Sequence, residues 1–216
     1  MNFALLLAFV RAIQILFAVI WNLASLNAER ALRIDGCFWI VFGTYWAVSA
    51  LGQKAAKKQE NFLERLRHIV PMAVACALLS RPAVGYGQLG QRFVPETEAL
   101  NLLGLVLAGA GVAFAIWARW HLGANWSAVV SIRAQHDLVR TGPYRAVRHP
   151  IYTGLLLAIM GTVLIVGEFR ALLAFAIVLA SFYLKARKED AWLAREFGET
   201  FAGHAKRTGM FLPRFS

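Results

Sequence analysis

The chain has 216 residues, of which 59% are apolar and only 16% are charged, and its formal net charge is +11. This composition excludes a disordered chain and argues against an ordinary soluble domain. The basic residues are grouped in alternate loops between apolar stretches, and this distribution argues against a nucleic-acid partner.

Six apolar stretches are candidates for membrane-spanning helices. The third is the weakest, because Pro71, Arg81 and Pro82 interrupt it, and the last two are short and joined only by a turn at residues 167–168. In chain order, the predicted spans cover residues 3–26, 36–52, 69–85, 99–120, 151–167 and 169–184. The sequence therefore predicts an all-α, polytopic membrane protein that ends in a helical hairpin and an amphipathic tail.

Most of the 23 basic residues lie in three regions, 53–68, 119–150 and 185–216, which six alternating spans put on one side of the membrane. By the positive-inside rule this side is cytoplasmic. Both termini are then expected in the cytoplasm, with anionic lipids as neighbours of the basic loops. This pattern is typical of a protein of the bacterial inner membrane.

The chain divides into two parts within one integral domain. Residues 1–120 are predicted to be transmembrane helices with few polar residues inside them. Residues 121–216 contain a polar loop, the helical hairpin and a charged tail, so any chemistry is expected there. In the tail, Trp192, Leu193 and Phe197 have helical spacing, which predicts an amphipathic segment on the membrane face or over the loop.

A dense polar cluster, GPYRAVRHPIYTG, precedes the fifth span at residues 142–154. Pro150 has a fixed φ and no N–H, so it predicts the first turn of a helix whose N-terminal end can attract an anion. Arg145 and Arg148 are also consistent with simple positive-inside anchors, and Tyr152 with an aromatic at the membrane interface. These readings explain the residues singly but not their density.

A second cluster, Lys185, Arg187, Lys188, Glu189 and Asp190, ends the sixth span. The antiparallel hairpin predicts that Glu189 comes close to His149 and Tyr152. An intrahelical salt bridge from Lys185 to Glu189 is the simpler alternative. Ionisable groups that gather at a membrane border usually mark a functional site.

The ordered motifs resemble the isoprenylcysteine carboxyl methyltransferase family, and the related phospholipid N-methyltransferases share the general pattern. The resemblance covers about residues 121–213. Its motifs are HDLV at 136–139, GPYR at 142–145, RHPIYTG at 148–154, Glu189-Asp190 and FGE at 197–199. It implies an integral membrane methyltransferase that uses S-adenosylmethionine without a Rossmann domain, with the cofactor at the cytoplasmic end of the hairpin under the C-terminal segment.

Carried over residue by residue, the resemblance implies one set of cofactor contacts. They are His136, Leu138, Val139, Tyr144, His149, Pro150, Tyr152 and Glu189. It also implies a lipid-like or prenylated substrate with an isoprenylcysteine-type carboxylate. The family's substrate-binding position, four residues before the glutamate, is typically arginine, and here it is Lys185, which cannot make the same bidentate contact. Lys185 and Arg187 are the candidate catalytic residues for the anionic group of the substrate, although Arg187 lies about 200° away around the helix.

Three other functions remain open at this stage. Phospholipid N-methyltransferases share the motif pattern. Membrane reductases of the sterol-reductase type have a similar hairpin and bind NADPH, but they usually continue the motif with Gly-Glu where this chain has Gly154 and Leu155. A non-catalytic lipid-binding scaffold is the third. The small residues at 104–111 predict close helix packing, either within one subunit or between two.

Overall fold

The computed structural model describes residues 26–51, 62–80, 85–123 and 138–214, and its regular secondary structure in these ranges is helical. The helices are α1 (Ala28–Leu51), α2 (Phe62–Leu79), α3 (Glu98–Leu122), α4 (Pro150–Val166) and α5 (Phe169–Arg207), with short 3-10 turns at Gly87–Gly90 and Gly142–Arg145. Within these ranges there is no β-strand, only two isolated β-bridges. The prediction of an all-α chain is confirmed for this part.

Among the described residues, two helices, α3 and α5, are long and apolar enough to cross a membrane. Two shorter apolar helices, Ile69–Leu79 and α4, accompany them. The first predicted span, residues 3–26, lies outside the described residues. The count of six spans therefore stays a prediction.

The ends of two helices differ from the predicted spans. Helix α1 begins at Ala28, not at residue 36, because the Asn27 side chain caps its first turn by accepting a hydrogen bond from the Arg30 N–H. An exposed ion pair between Arg33 and Glu29 adds to the stability of this turn. Helix α2 ends at Leu79, not at residue 85. The Arg170 guanidinium, held by Glu168 at 2.5 Å, donates hydrogen bonds to the carbonyl oxygens of Leu78 and Ser80 at this end.

Helices α3 and α4 pack with their backbones in direct contact. A Cβ atom added at Gly154 would lie 2.6 Å from the backbone nitrogen of Ala115, and one at Gly104 would lie 2.8 Å from the carbonyl oxygen of Gly161. Only glycine fits at such distances, and close approach of small residues is the usual basis of helix association in membranes. The small residues at 104–111 therefore pack within the subunit.

The largest group of buried apolar residues joins α4 and α5 to α2. It contains Ala75, Leu156, Ile159, Val163, Val166, Ala171, Ala174, Val178 and Phe182. The turn between α4 and α5 has Gly167 in the left-handed conformation, followed by Glu168 as the N-cap of α5. This core and turn hold the two helices as the hairpin that the sequence predicts.

Helix α5 does not end with its apolar part at residue 184. It continues through the charged residues 185–197 for roughly 20 Å, at about 1.5 Å per residue. A break follows at Gly198, whose φ of +50° is a conformation that favours glycine. After this break, Phe201 and His204 are buried, and the chain returns to the N-terminal end of α4.

Candidate functional site

The site begins at the N-terminal end of α4, where Pro150 occupies the first turn as the sequence predicts. His149 is the N-cap residue, but its side chain makes no capping hydrogen bond. Its ring, only 7% exposed, instead points to α5. The hairpin thus brings His149 to the charged residues that follow the apolar part of α5.

Two consecutive carboxylates of α5 enclose the His149 ring. The Nε2 atom lies 2.9 Å from Oδ1 of Asp190, and the Nδ1 atom lies 3.3 Å from Oε2 of Glu189. The Tyr152 hydroxyl donates a hydrogen bond of 2.7 Å to the other carboxylate oxygen of Glu189. The predicted proximity of Glu189 to His149 and Tyr152 is therefore present in the structure.

The carboxylates determine the charge state of this group. Burial alone disfavours the imidazolium, but hydrogen bonds and charges from Asp190 and Glu189 outweigh it and raise the pKa of His149 above 6.5. Burial has the opposite effect on the two acids. Even so, His149 and Lys185 lower the pKa of Glu189, and His149 and Arg148 lower the pKa of Asp190. These directions favour an imidazolium held between two carboxylates.

Asp190 also connects the site to the C-terminal tail. Its second oxygen, Oδ2, accepts a hydrogen bond of 3.1 Å from Nε of Arg148. The same guanidinium donates to the carbonyl oxygens of Ala205 at 3.2 Å and Thr208 at 2.5 Å. Sequence reasoning quoted Asp190 within a motif but gave it no role. Its position directly after Glu189 was the signal that could have revealed it.

The tail lies against the N-terminal end of α4 through its backbone. The N–H groups of Arg148 and His149 donate to the carbonyl oxygens of Gly209 and Met210 at 2.9 and 3.1 Å. The Thr153 hydroxyl donates to the carbonyl oxygen of Phe211 at 2.8 Å. These bonds cover one side of the site with residues 208–211.

Aromatic rings form the apolar wall of the site. Tyr152 stacks on Phe182 with ring centroids 4.9 Å apart and on His149 at 5.6 Å, and the Phe211 ring meets both Tyr152 and His149 edge-on. The Lys185 ammonium lies 5.9 Å from the centre of the Tyr152 ring. Phe182 and Phe211 were not predicted. Phe182 shares a helix face with Lys185 and Glu189, which is a usable signal, whereas no local pattern points to Phe211.

The other predicted contacts surround this group less directly. Tyr144 is buried, and its hydroxyl donates to the carbonyl oxygen of Ala118 on α3 at 3.5 Å. Burial and the charge of Glu189 raise the pKa of Tyr144 above 10.0, so its phenol stays protonated. Leu138 and Val139 are half-buried in the segment that precedes the turn at Gly142–Arg145. His136 lies outside the described residues.

The two candidate residues for a substrate anion are on different faces of α5. Lys185 faces Tyr152 and Glu189. Arg187 is exposed, and its Nη1 atom donates to the Tyr183 hydroxyl at 3.3 Å. The structure therefore brings Lys185 into the site and turns Arg187 away from it, as their angular separation on the helix predicts.

The arrangement can bind a ligand that carries several charges. It offers carboxylates to a cation or to hydroxyl groups, a helix N-terminus to an anion, and aromatic faces to a second cation. The Lys185 ammonium stands beside these groups as a separate positive charge. Such a site suits a small zwitterionic or cationic molecule together with an anionic partner.

Comparisons with known proteins show what this chain is similar to. A family model described as phospholipid methyltransferase matches residues 100–200. The cobalt-zinc-cadmium resistance protein CzcN of Cupriavidus metallidurans is 33% identical over 160 residues, which cover 73% of this chain and 68% of that protein. The protein-S-isoprenylcysteine O-methyltransferase of Schizosaccharomyces pombe is 32% identical over 94 residues, which cover 42% of this chain and 40% of that protein.

A solved structure of the eukaryotic intramembrane Ras methyltransferase ICMT aligns with 99% of this chain and 87% of its own, with a TM-score of 0.49 and 17% identity. The matched residues 100–200 include most of α3, all of α4 and both carboxylates of the site. The sequence matches, taken with the motifs that make up the site, establish the relationship. The chain belongs to the isoprenylcysteine carboxyl methyltransferase family of integral membrane methyltransferases, which is related to the phospholipid methyltransferases.

Proposed function

We propose that this chain transfers the methyl group of S-adenosylmethionine to a lipid-like acceptor at the cytoplasmic face of the membrane. The observation that carries the proposal is the His149 ring held between Glu189 and Asp190, next to the ring of Tyr152 and the ammonium of Lys185. These groups lie where the apolar part of α5 ends. A cofactor from water and an acceptor from the lipid can meet at such a border.

The residues present fit S-adenosylmethionine, which bears a carboxylate, an ammonium and a sulfonium. Glu189, which His149 holds in place, suits the ammonium or the ribose hydroxyls, and the N-terminal end of α4 suits the carboxylate. The faces of Tyr152 and Phe182 suit the sulfonium. When bound, the cofactor supplies an electrophilic methyl group. His136, Leu138, Val139, Tyr144 and Pro150 complete the proposed cofactor contacts.

The acceptor is an amphiphile whose anionic group is bound by Lys185. An isoprenylcysteine-type carboxylate needs no general base, because it is already ionised near neutral pH. The main contribution of the protein is then to hold donor and acceptor in line and to exclude water. Arg187 is the second candidate for the anion, and its exposed position beside Tyr183 favours Lys185.

The basic regions 53–68, 119–150 and 185–216 support an orientation with the site and both termini in the cytoplasm. This orientation requires the proposed six spans, with residues 3–26 as the first. We place the protein in a bacterial inner membrane on the same grounds. The C-terminal segment after Gly198 then forms the cytoplasmic cover of the site.

The amine of a phospholipid is the second candidate acceptor, and the phospholipid methyltransferase model that matches residues 100–200 favours it. An amine must lose its proton before it can attack a methyl group. That requirement separates it chemically from a carboxylate, because the methylation rate of an amine rises with pH over a range where a carboxylate stays ionised.

The test is methyl transfer in proteoliposomes that contain the purified chain, S-adenosylmethionine labelled in its methyl group, and either a prenylcysteine or a phospholipid amine. We expect label in the lipid fraction with the wild type and a loss of about a hundredfold or more with Glu189→Gln. Glu196→Gln is the matched control, since Glu196 is an exposed acid on the same helix. Label in neither acceptor, from protein that binds the cofactor, would exclude both substrate classes.

A further inference from the structure

A cavity lies away from the charged site, among α1, α2, α4 and α5. Its volume is about 530 Å³, within the range of roughly 300–1,000 Å³ that small-molecule sites occupy. Its lining is mostly apolar and includes Leu32, Trp39, Ala75, Ile159 and Val178. A cavity with this lining can accommodate a hydrocarbon chain.

One buried carboxyl group interrupts the apolar lining. Asp35 is only 3% exposed, and its Oδ2 atom accepts a hydrogen bond of 2.9 Å from the Thr162 hydroxyl. The Trp39 indole N–H donates to the same hydroxyl at 3.1 Å and so orients it. The Oδ1 atom has no hydrogen-bond partner among the residues that the structure describes. A buried oxygen that lacks a donor is costly, and acidic groups that are buried at a membrane border commonly mark functional sites.

This cavity is distinct from the methyl-transfer site. Thr162 follows Tyr152 by ten residues on α4, which corresponds to about 15 Å along the helix axis. The cavity therefore lies toward the α4–α5 turn, whereas His149 and Glu189 lie at the other end of the hairpin. An amine held at Asp35 is too far from that end to be methylated there.

We propose that the cavity binds a single-chain amphiphile with an ammonium head group, with the head at Asp35 and the chain along the apolar wall. The Oδ1 atom of Asp35 lacks a hydrogen-bond donor among the described residues. An ammonium head group supplies this donor and also a charge opposite to that of the carboxylate. The nearby ion pair of Arg33 with Glu29, at 2.7 Å, adds no net charge to the lining. A neutral alcohol supplies the donor without the charge, and a carboxylate is repelled.

Trp39 provides a fluorescent reporter inside the cavity. The experiment uses the full chain in a non-ionic detergent and three probes of equal length, dodecylammonium, dodecanol and dodecanoate, each brominated on the chain close to its head group, because Trp39 lies beside the proposed position of the head. Bromine quenches the fluorescence of nearby tryptophans. The quenching seen in the wild type but not in Trp39→Phe reports a probe bound in the cavity. We expect saturable quenching by the ammonium probe at a concentration about tenfold lower than for the alcohol, a difference of about 1.4 kcal/mol.

Asp35→Asn should reduce the preference for ammonium over alcohol to about twofold or less, since it removes the charge and keeps the shape. Glu29→Gln is the control, because Glu29 is an exposed acid that also lines the cavity, and it should keep the preference. A melting curve of each variant reports folding independently of methyl transfer. Equal quenching by all three probes, or a preference that survives Asp35→Asn, would overturn the proposal.

A second variant tests the cavity without changing the carboxyl group. Ala75 is 1% exposed and lines the cavity, so Ala75→Met should fill it and abolish the quenching that depends on Trp39. Ala75→Met decides the question if Asp35→Asn does not fold. Unchanged quenching in folded Ala75→Met, or no quenching of Trp39 by dodecylammonium in the wild type, would contradict the assignment.

Discussion

The positive charge of the protonated His149 ring contributes both to the stability of the fold and to the charged site. Its pKa is raised by Asp190 and Glu189, so its contribution to stability is fully present below the ordinary histidine value of 6.5 and is lost as the pH rises through the raised value. The carboxylates have lowered pKa values. Their contribution is therefore present above their ordinary values and is lost as the pH falls through the lowered ones.

The first prediction follows from these signs. The stability difference between the wild type and His149→Gln should be largest between about pH 5 and 6.5, at roughly 2 kcal/mol, and should shrink at higher pH. Thermal unfolding of the two proteins in the same detergent at several pH values measures this. His121→Gln, which changes a histidine on α3, is the control. A difference that grows as the pH rises would contradict the charged form of His149.

The second prediction concerns the acceptor. Lys185→Gln should raise KM for an anionic acceptor about tenfold, because the ammonium beside Tyr152 is removed, while the affinity for S-adenosylmethionine changes less. Arg187→Gln should change the same KM by about twofold or less, since its guanidinium lies by Tyr183. Steady-state kinetics of both variants test the assignment, and the opposite order of effects would move the anion site to Arg187.

At the scale of elements, the contact between α3 and α4 depends on glycine. Gly154→Ala should destabilise the protein by about 1–3 kcal/mol, because the added methyl group would lie 2.6 Å from the Ala115 nitrogen and force the helices apart. Gly43→Ala on α1 should be neutral or stabilising, since nothing lies within 4 Å of the added atom. Melting temperatures of the two variants provide the measurement. Equal effects would mean that the two helices are not in backbone contact.

The break at Gly198 supports a prediction about the cover of the site. Gly198→Ala places a side chain at a φ of +50°, which costs about 1–2 kcal/mol, and should loosen the segment that returns to Arg148 and His149. We expect faster proteolysis within residues 199–214 and weaker cofactor binding. Gly203→Ala, in the same segment and with nothing within 4 Å, should show neither change. A Gly198→Ala protein as resistant as the wild type would show that the break is not required.

Sequence reasoning succeeded where the signal was local. Pro150 indicated the start of α4, and the short turn at residues 167–168 was enough to predict that Glu189 returns to His149. It failed where a distant residue sets the outcome. The end of α2 depends on Arg170, more than 90 residues later, and no local pattern shows that Phe211 returns to the site. Asp35 was overlooked because it precedes the predicted second span and its partner Thr162 is 127 residues away.

For the whole molecule, the hairpin of α4 and α5 connects the apolar helices to the charged site. Its apolar part packs against α2 and α3, and its open end holds the charged site under the C-terminal tail. Membership of a methyltransferase family and the charged groups of the site both favour S-adenosylmethionine as the cofactor. The central claim is therefore that this end of the hairpin binds S-adenosylmethionine.

Calorimetric titration of the detergent-purified chain with S-adenosylmethionine and its demethylated product tests this claim most directly. We predict binding in the micromolar range for the wild type and for Glu196→Gln, and a loss of about 2 kcal/mol or more in Glu189→Gln. NADPH should give no comparable heat. Folded wild-type protein that binds neither form of the cofactor, or that binds NADPH more tightly, would contradict the account and favour a membrane reductase.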